Sequence, residues 1–252
     1  MRILAAALAL CLCMVATACS PDRAAPLGAA PAAGEAEDQL LYVGVGASET
    51  YGAGADDPLR GSWPQVLFRT ALPRSASFVN LGIPGATAAD ALAQEVPVAV
   101  DLKPDLVTVW LNVNDLVAGF EPGAYERNLT KLLRELRRAG RTRVLVANTP
   151  PLDNLPAYQA CLAGETDPSV SPCAFEGVTP RPDELNATVR AYNRAIERAA
   201  SSTGAEVVDL HARTLEARNA GTDSELISED GFHPSSEGHR AVAGAFAEVL
   251  GQ

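Results

Sequence analysis

The sequence predicts an α/β protein with a three-layer α/β/α architecture, built on a flavodoxin-like doubly wound parallel sheet of about five strands. Three observations carry that expectation. Short apolar runs alternate along the chain with segments of helical periodicity, the order that yields a parallel sheet covered on both faces. The run Asp105–Leu111 is continuous and β-branched, as a strand buried on both faces requires. The spacing between runs leaves room for helical crossovers, and right-handed crossovers of five strands lead to a doubly wound sheet.

Each element has its own signal. Leu40–Val45 is a short apolar run punctuated by glycine and reads as the first strand. Ser62 can cap a helix reaching about Leu72, with Trp63, Val66 and Leu67 on its apolar face. Ser77–Leu81 is the second strand, and Thr87 caps a helix through about Val96. After the third strand, Asp105–Leu111, the segment Pro122–Ala139 places Leu129, Leu132, Leu133 and Leu136 on one helical face and closes at Gly140. Arg143–Ala147 is the fourth strand. The Pro-rich stretch Thr149–Pro182 is longer than a connection in a packed domain usually is, and reads either as a lid or binding loop that forms one wall of a substrate pocket or as a stapled surface loop. Asp183–Ser201 returns to helix along the stripe Leu185, Val189, Tyr192, Ile196 and Ala199. Glu206–Leu210 is the fifth strand, and Ser235–Leu250 the closing helix.

Composition bounds the function classes. The apolar fraction of 47 % excludes a disordered chain, and the 252 residues hold one ordinary domain with no room for a second catalytic one. A net charge of −11 repels phosphate backbones and anionic lipid surfaces, so a nucleic-acid partner is not expected.

The N-terminus reads as a leader. Arg2 precedes an apolar stretch from Ile3 to Ala16, followed by Thr17, Ala18 and Cys19, the basic start, apolar segment and small residues of an export signal. Ala16-Thr17-Ala18 suits ordinary cleavage after residue 18. The small residues directly before Cys19 resemble a lipobox, although Ala16 stands where leucine is usual. The lipoprotein reading is preferred, since an unpaired Cys19 in an exported protein would otherwise be a liability. Residues 19–38 then form an Ala/Pro/Gly-rich tether, and residues 39–252 the domain. Membrane attachment through a lipidated Cys19 is the corresponding expectation. Within the domain Cys161 and Cys173 remain, most simply a disulfide. No Cys-x-x-Cys or clustered histidine supports the alternative of a metal site.

In doubly wound sheets ligands bind beyond the carboxyl ends of the strands, so catalytic candidates should follow strands. Four segments do. Gly44-Val45-Gly46-Ala47-Ser48-Glu49-Thr50-Tyr51-Gly52 follows the first strand and lifts a hydroxyl out of the sheet end. Asn80-Leu81-Gly82-Ile83-Pro84-Gly85-Ala86-Thr87 follows the second, Asn112-Val113-Asn114-Asp115 the third, and Asp230-Gly231-Phe232-His233-Pro234 the fifth. A hydroxyl nucleophile needs a base, a carboxylate to orient that base, and donors for the oxyanion. These segments supply all three. A dinucleotide reading of Gly44-x-Gly46 fails, because Glu49 stands where a third glycine is required and Asn80 where an acidic residue is expected.

The four segments, in this order and spacing across most of residues 40–252, resemble the blocks of the SGNH hydrolases, the GDSL esterase/lipase family. By position the resemblance implies Ser48 as nucleophile, His233 as base and Asp230 as its orienter. It implies an oxyanion hole from the backbone amides of Ser48 and Gly85 and the side chain of Asn114. The family's Gly-Asp-Ser reads Gly46-Ala47-Ser48, and the first glycine of its Gly-x-Asn-Asp reads Asn112.

Local alternatives exist for each residue. Ser48 could be a turn hydroxyl, Gly85 a φ requirement, and Asn114 a loop residue bonding its own backbone. His211 and His239 are the other histidines, and Asp209 is a rival orienter of structural character. Asp115 suits a cap of the turn that follows it. The resemblance implies a serine hydrolase without metal or organic cofactor, and the leader implies that it is exported. Its substrate would be a small-molecule, lipid or glycan acyl ester. The rival is a non-catalytic ligand-binding module on the same fold.

Overall fold

The computed structural model describes residues 39–164, 175 and 178–251. The segments expected to be an export signal and a tether, with Cys19, and the Cys173 expected to pair with Cys161 lie outside the described residues. In chain order the elements are β1 (Leu41–Gly46), α1 (Ser48–Tyr51), α2 (Pro58–Gly61), α3 (Trp63–Ala71), β2 (Ser77–Asn80), α4 (Ala88–Leu102), β3 (Leu106–Trp110), α5 (Val113–Val117), α6 (Pro122–Arg137), β4 (Arg143–Ala147), α7 (Pro156–Ala163), α8 (Pro182–Thr203), β5 (Glu206–Val208), α9 (Leu210–Ala220) and α10 (Ser236–Leu250).

The five strands are all parallel, in the order β2-β1-β3-β4-β5, the flavodoxin-like doubly wound arrangement. Side chains alternate across the sheet. Val43, Val45, Val107, Val109, Val144 and Val146 face α4, α6 and α8, where Leu129, Leu133, Val189 and Ile196 are fully buried. Tyr42, Leu106, Trp110, Leu145 and Val208 face the other way, against Trp63, Leu67 and Phe246. Both faces are therefore apolar, which is why β3 is buried at every position and carries no polar alternation. Burying each of these large side chains contributes roughly 1.5–3 kcal/mol.

The order reverses at β1, whose neighbours β2 and β3 lead away on opposite sides. Crossovers leave such a point in opposite directions and open a crevice above the strand ends. The segments after β1, β2 and β3 flank this crevice.

Several elements differ from expectation. The predicted end of the second long helix at Val96, before Pro97, is corrected: α4 continues to Leu102. Pro97 removes one N–H, but Ala99 beyond it is fully buried, and packing outweighs the lost bond. The fifth strand stops at Val208, because the Asp209 side chain accepts the Ala212 amide and starts α9. Ser62 stands at the start of α3 without a side-chain bond to it; the Nδ1 of His239 instead accepts from Trp63 N–H at 3.1 Å. The stretch expected to be irregular contains α7.

Candidate active site

The turn after β1 is shaped by crowding. A Cβ on Gly46 would lie 2.0 Å from Thr50 Oγ1 and 2.8 Å from the carbonyl of Trp110, so only glycine fits where the chain leaves the sheet. Ala47 is buried in the core, and Ser48 opens α1. Behind the turn, Glu95 of α4 accepts the Gly46 N–H at 2.8 Å. Burial raises the Glu95 carboxyl to about 8, against the opposing effect of the Gly46 bond. It is thus the neutral acid that anchors this turn at pH 7.

Ser48 is 8 % exposed. Its Oγ lies 3.0 Å from Nε2 of His233, and Nδ1 of the same ring lies 2.6 Å from Asp230 Oδ2. Burial pushes the Asp230 carboxyl upward. The bonds from His233, the Phe232 and His233 amides and the Ser228 hydroxyl outweigh that and hold it at about 2. An ionised carboxylate can only accept, so Nδ1 carries the proton and Nε2 presents a lone pair to the Ser48 hydroxyl. The structure therefore brings together Ser48, His233 and Asp230 from opposite ends of the domain, in the order that lets an imidazole take a hydroxyl proton.

Gly85 sits in the turn after β2 with φ +82°, a conformation that favours glycine. Asn114 lies in α5, and its Nδ2 donates to the carbonyl of Ala86 at 2.9 Å. One amide hydrogen thereby locks the side chain against the residue next to Gly85 and leaves the other to donate. The segment is held from below, where the Tyr125 hydroxyl donates to the Leu111 carbonyl at 2.6 Å. Neither the Ser48 nor the Gly85 N–H has an acceptor among the described residues. Asn112 adopts φ −162°, which any residue can adopt, and its buried amide reaches the Ala147 carbonyl at 3.4 Å. A glycine is therefore not required at that position.

The rivals are placed elsewhere. His239 is fully buried between Trp63 N–H and the Ala53 carbonyl, 3.0 Å from Nε2. His211 Nδ1 faces the Thr149 carbonyl at 3.1 Å, and Asp209 caps α9 while accepting from Asn148 at 2.7 Å. Asp115 does not cap the turn that follows it, as expected, but accepts the Ala88 N–H at 2.8 Å and caps α4. Burial raises its carboxyl to about 6.

Two features were not read from the sequence. Glu95 holds the nucleophile turn from a helix whose sequence marks it as an ordinary exposed carboxylate. A cavity of about 400 Å³ lies behind the chain neighbours of Ser48 and His233, lined by Glu49, Trp110, Leu152, Leu155, Phe232 and Val242 among others, with none of Ser48, Asp230 and His233 in its wall. Pro150, Pro151 and Leu152 contribute to it from the stretch expected to wall the site, and α7 contacts the histidine loop through Ala157 N–H to the Gly231 carbonyl at 3.1 Å.

Known proteins resemble this chain to different depths. An arylesterase of Vibrio mimicus is 30 % identical over 123 residues, spanning 48 % of this chain and 60 % of that protein. A lipase/acylhydrolase from Enterococcus faecalis superposes with a TM-score of 0.61 at 19 % identity, covering 84 % of this chain and 95 % of that one. The psychrotrophic esterase EstA from a Pseudoalteromonas species gives 0.59 at 15 %, covering 84 % and 97 %. At these identities the two structures establish the fold. Residues 45–241, a stretch that holds every proposed catalytic residue, match the model of the GDSL-like lipase/acylhydrolase family, and the chain belongs to that family.

Proposed function

We propose that the protein is an exported serine ester hydrolase. The observation that carries this reading is the His233 ring, with one nitrogen on Ser48 and the other on Asp230. Ser48 Oγ attacks the ester carbonyl carbon while His233 takes its proton. The oxyanion is met by the amides of Ser48 and Gly85 and the Asn114 side chain. Collapse expels the alcohol, which receives the proton from His233 and leaves an acyl-Ser48 ester. Water, deprotonated by His233, then attacks that ester and releases the acid and the free serine. Asp230 stays ionised and stabilises the imidazolium in both halves. The arylesterase similarity and the family's name support acyl esters as substrates.

The reading extends to the rest of the chain. Residues 1–18 are removed as an export signal, Cys19 is lipidated, and the tether through residue 38 sets the domain, residues 39–252, off the membrane. Cys161 pairs with Cys173 and closes the β4–α8 excursion beside the cavity.

The test is covalent labelling by a fluorophosphonate with hydrolysis of p-nitrophenyl esters from acetyl to palmitoyl. Labelling and turnover that both vanish in Ser48→Ala are expected. A folded protein that neither labels nor hydrolyses any chain length would make it a ligand-binding module instead. Incorporation of radiolabelled fatty acid by the wild type, lost in Cys19→Ala, tests the anchor.

A further inference from the structure

The Gly85 and Asn114 donors of the oxyanion hole come from different loops, so their spacing depends on how those loops are joined. The loop after β2 is tied to β1 ahead of Gly85, by Leu81 N–H to the Gly44 carbonyl at 2.8 Å and Ile83 N–H to the Gly46 carbonyl at 2.9 Å. Gly85 itself is loosely surrounded: a Cβ placed on it would meet nothing within 4 Å. Beyond Gly85 the join comes from α5, where Asn114 and Asp115 stand side by side. Asn114 Nδ2 donates to the Ala86 carbonyl at 2.9 Å, and Asp115 Oδ2 accepts the Ala88 N–H at 2.8 Å. Helix α4 does not depend on Asp115 alone for its start. Thr87 Oγ1 accepts the Asp90 N–H at 3.2 Å and Asp90 Oδ2 accepts the Thr87 N–H at 3.1 Å, a complete capping box. Asp115 is 2 % exposed. The ionisable groups within electrostatic reach, Asp90 of α4, Tyr125 of α6 and Tyr192 of α8, bring it no positive charge. A buried acid without a cation is costly, and a neutral side-chain oxygen would serve as a cap.

We propose that Asp115 is a positioning residue of the oxyanion hole: its bond to Ala88, beside that of Asn114 to Ala86, keeps the Gly85 amide in register with the Asn114 side chain. The inference deepens the ester-hydrolase reading and rests on it. With the Asn114 bond alone, the stretch after Gly85 can pivot about the Ala86 carbonyl, and the two donors lose their common focus. The Asp115 bond, two residues further along the chain, removes that rotation. Asp115 bonds backbone amides, that of Ala88 and its own, and so acts through Gly85 and Asn114. Donors stabilise an oxyanion only when aimed at the place where it forms. The effect of Asp115 therefore belongs to the transition state and not to substrate binding.

The experiment measures kcat and KM of the full chain on p-nitrophenyl acetate and butanoate, with Ser48→Ala as the blank. Asp115→Leu removes the acceptor and Asp115→Asn keeps one. Ala88→Pro removes the donor at the first position of α4, where helices accept proline. Asp115→Leu and Ala88→Pro are expected to lower kcat on the order of 10²-fold, the scale of a group misplaced by about 1 Å, with KM changed by less than about threefold. Asp115→Asn should recover most of that loss. A role in stability alone would lower melting temperatures and leave kcat of the folded enzymes in place, and that result overturns the proposal. So does a change confined to KM, or an Asp115→Asn enzyme no better than Asp115→Leu. If Asp115→Leu does not fold, Ala88→Pro decides by the same kcat criterion. In an Asn114→Ala background no register between the two donors is left to keep, so adding Asp115→Leu should cost little more. Losses that multiply in full count against the proposal. Absence of Ser48-dependent turnover in the wild type overturns the esterase reading and this inference with it. An active wild type whose kcat is indifferent to Asp115 overturns this inference only.

Discussion

His233 and His239 stand on one short stretch of chain, yet the structure uses them in opposite ways. Both nitrogens of His233 meet side chains that can exchange a proton, Ser48 and Asp230. Both nitrogens of His239 meet the backbone, accepting from Trp63 N–H and facing the Ala53 carbonyl. The backbone partners fix the tautomer of His239: Nδ1 must accept, so Nε2 carries the hydrogen. A second proton on Nδ1 would oppose the Trp63 N–H, and burial lowers its pKa further. The acids divide in the same manner. Asp230 bonds His233, whereas Glu95 and Asp115 accept amides of Gly46 and Ala88. A working group in this domain is therefore recognised by what its polar atoms face, and burial alone does not identify it.

The sharpest way to break that division is to remove the two imidazoles separately. His233→Ala should lower kcat on the order of 10⁶-fold, the loss typical of a triad base, with an unchanged melting temperature. His239→Ala should do the reverse. It leaves the buried Trp63 N–H without its acceptor, at about 1–3 kcal/mol, and the half-buried Ala53 carbonyl without its donor, while turnover of the folded enzyme stays within a few-fold. A folded His239→Ala enzyme as inactive as His233→Ala would erase the distinction.

Asp230→Asn comes next. The amide can hold the ring with the wrong nitrogen protonated, so turnover should fall on the order of 10⁴-fold with the fold retained. Because the native carboxyl titrates at about 2, protonation of Asp230 does not account for any activity lost between pH 7 and pH 4. Asn114→Ala should cost about 10²–10³ in kcat with little change in KM, the signature of a donor used in the transition state. An unchanged kcat would reduce Asn114 to the strut that its bond to Ala86 already makes it.

How much of this was legible in the sequence follows from the same division. The sheet was, because both faces of β3 and β4 are apolar and the leucine stripe of α6 fits one helical period. The candidates Ser48, Gly85 and Asn114 were, because each lies in the segment directly after a strand; Asp230 and His233, which α9 separates from β5, were legible only through the recurring pattern that the four segments form. Helix α9 was not, since Leu210 is its only buried residue and it carries no apolar stripe to read. The extension of α4 past Pro97 was hidden behind a residue that usually ends helices. Glu95, Asp115 and His239 were illegible as supports because their partners are backbone groups remote in sequence, and any residue type offers the same N–H.

Glu95 gives the comparison its finest test. Its carboxyl is raised by burial from 4.5 to about 8, so the folded protein holds a proton there that the unfolded chain has released. The sign follows from linkage: where the native state binds more protons, stability falls as pH rises. The contribution of neutral Glu95 is thus complete below about pH 4.5 and is lost as pH climbs through about 8. Glu95→Gln keeps an oxygen for the Gly46 N–H and cannot ionise. The melting temperature of the variant, measured against wild type, should accordingly improve between pH 4.5 and pH 8 and level off above. Asp115, raised to about 6, is present in both proteins and cancels from the difference. A difference that does not change with pH would mean that Glu95 is ionised behind the nucleophile turn. It would then belong with Asp230 among the charged groups of the site, and not with His239 among the neutral supports of the backbone.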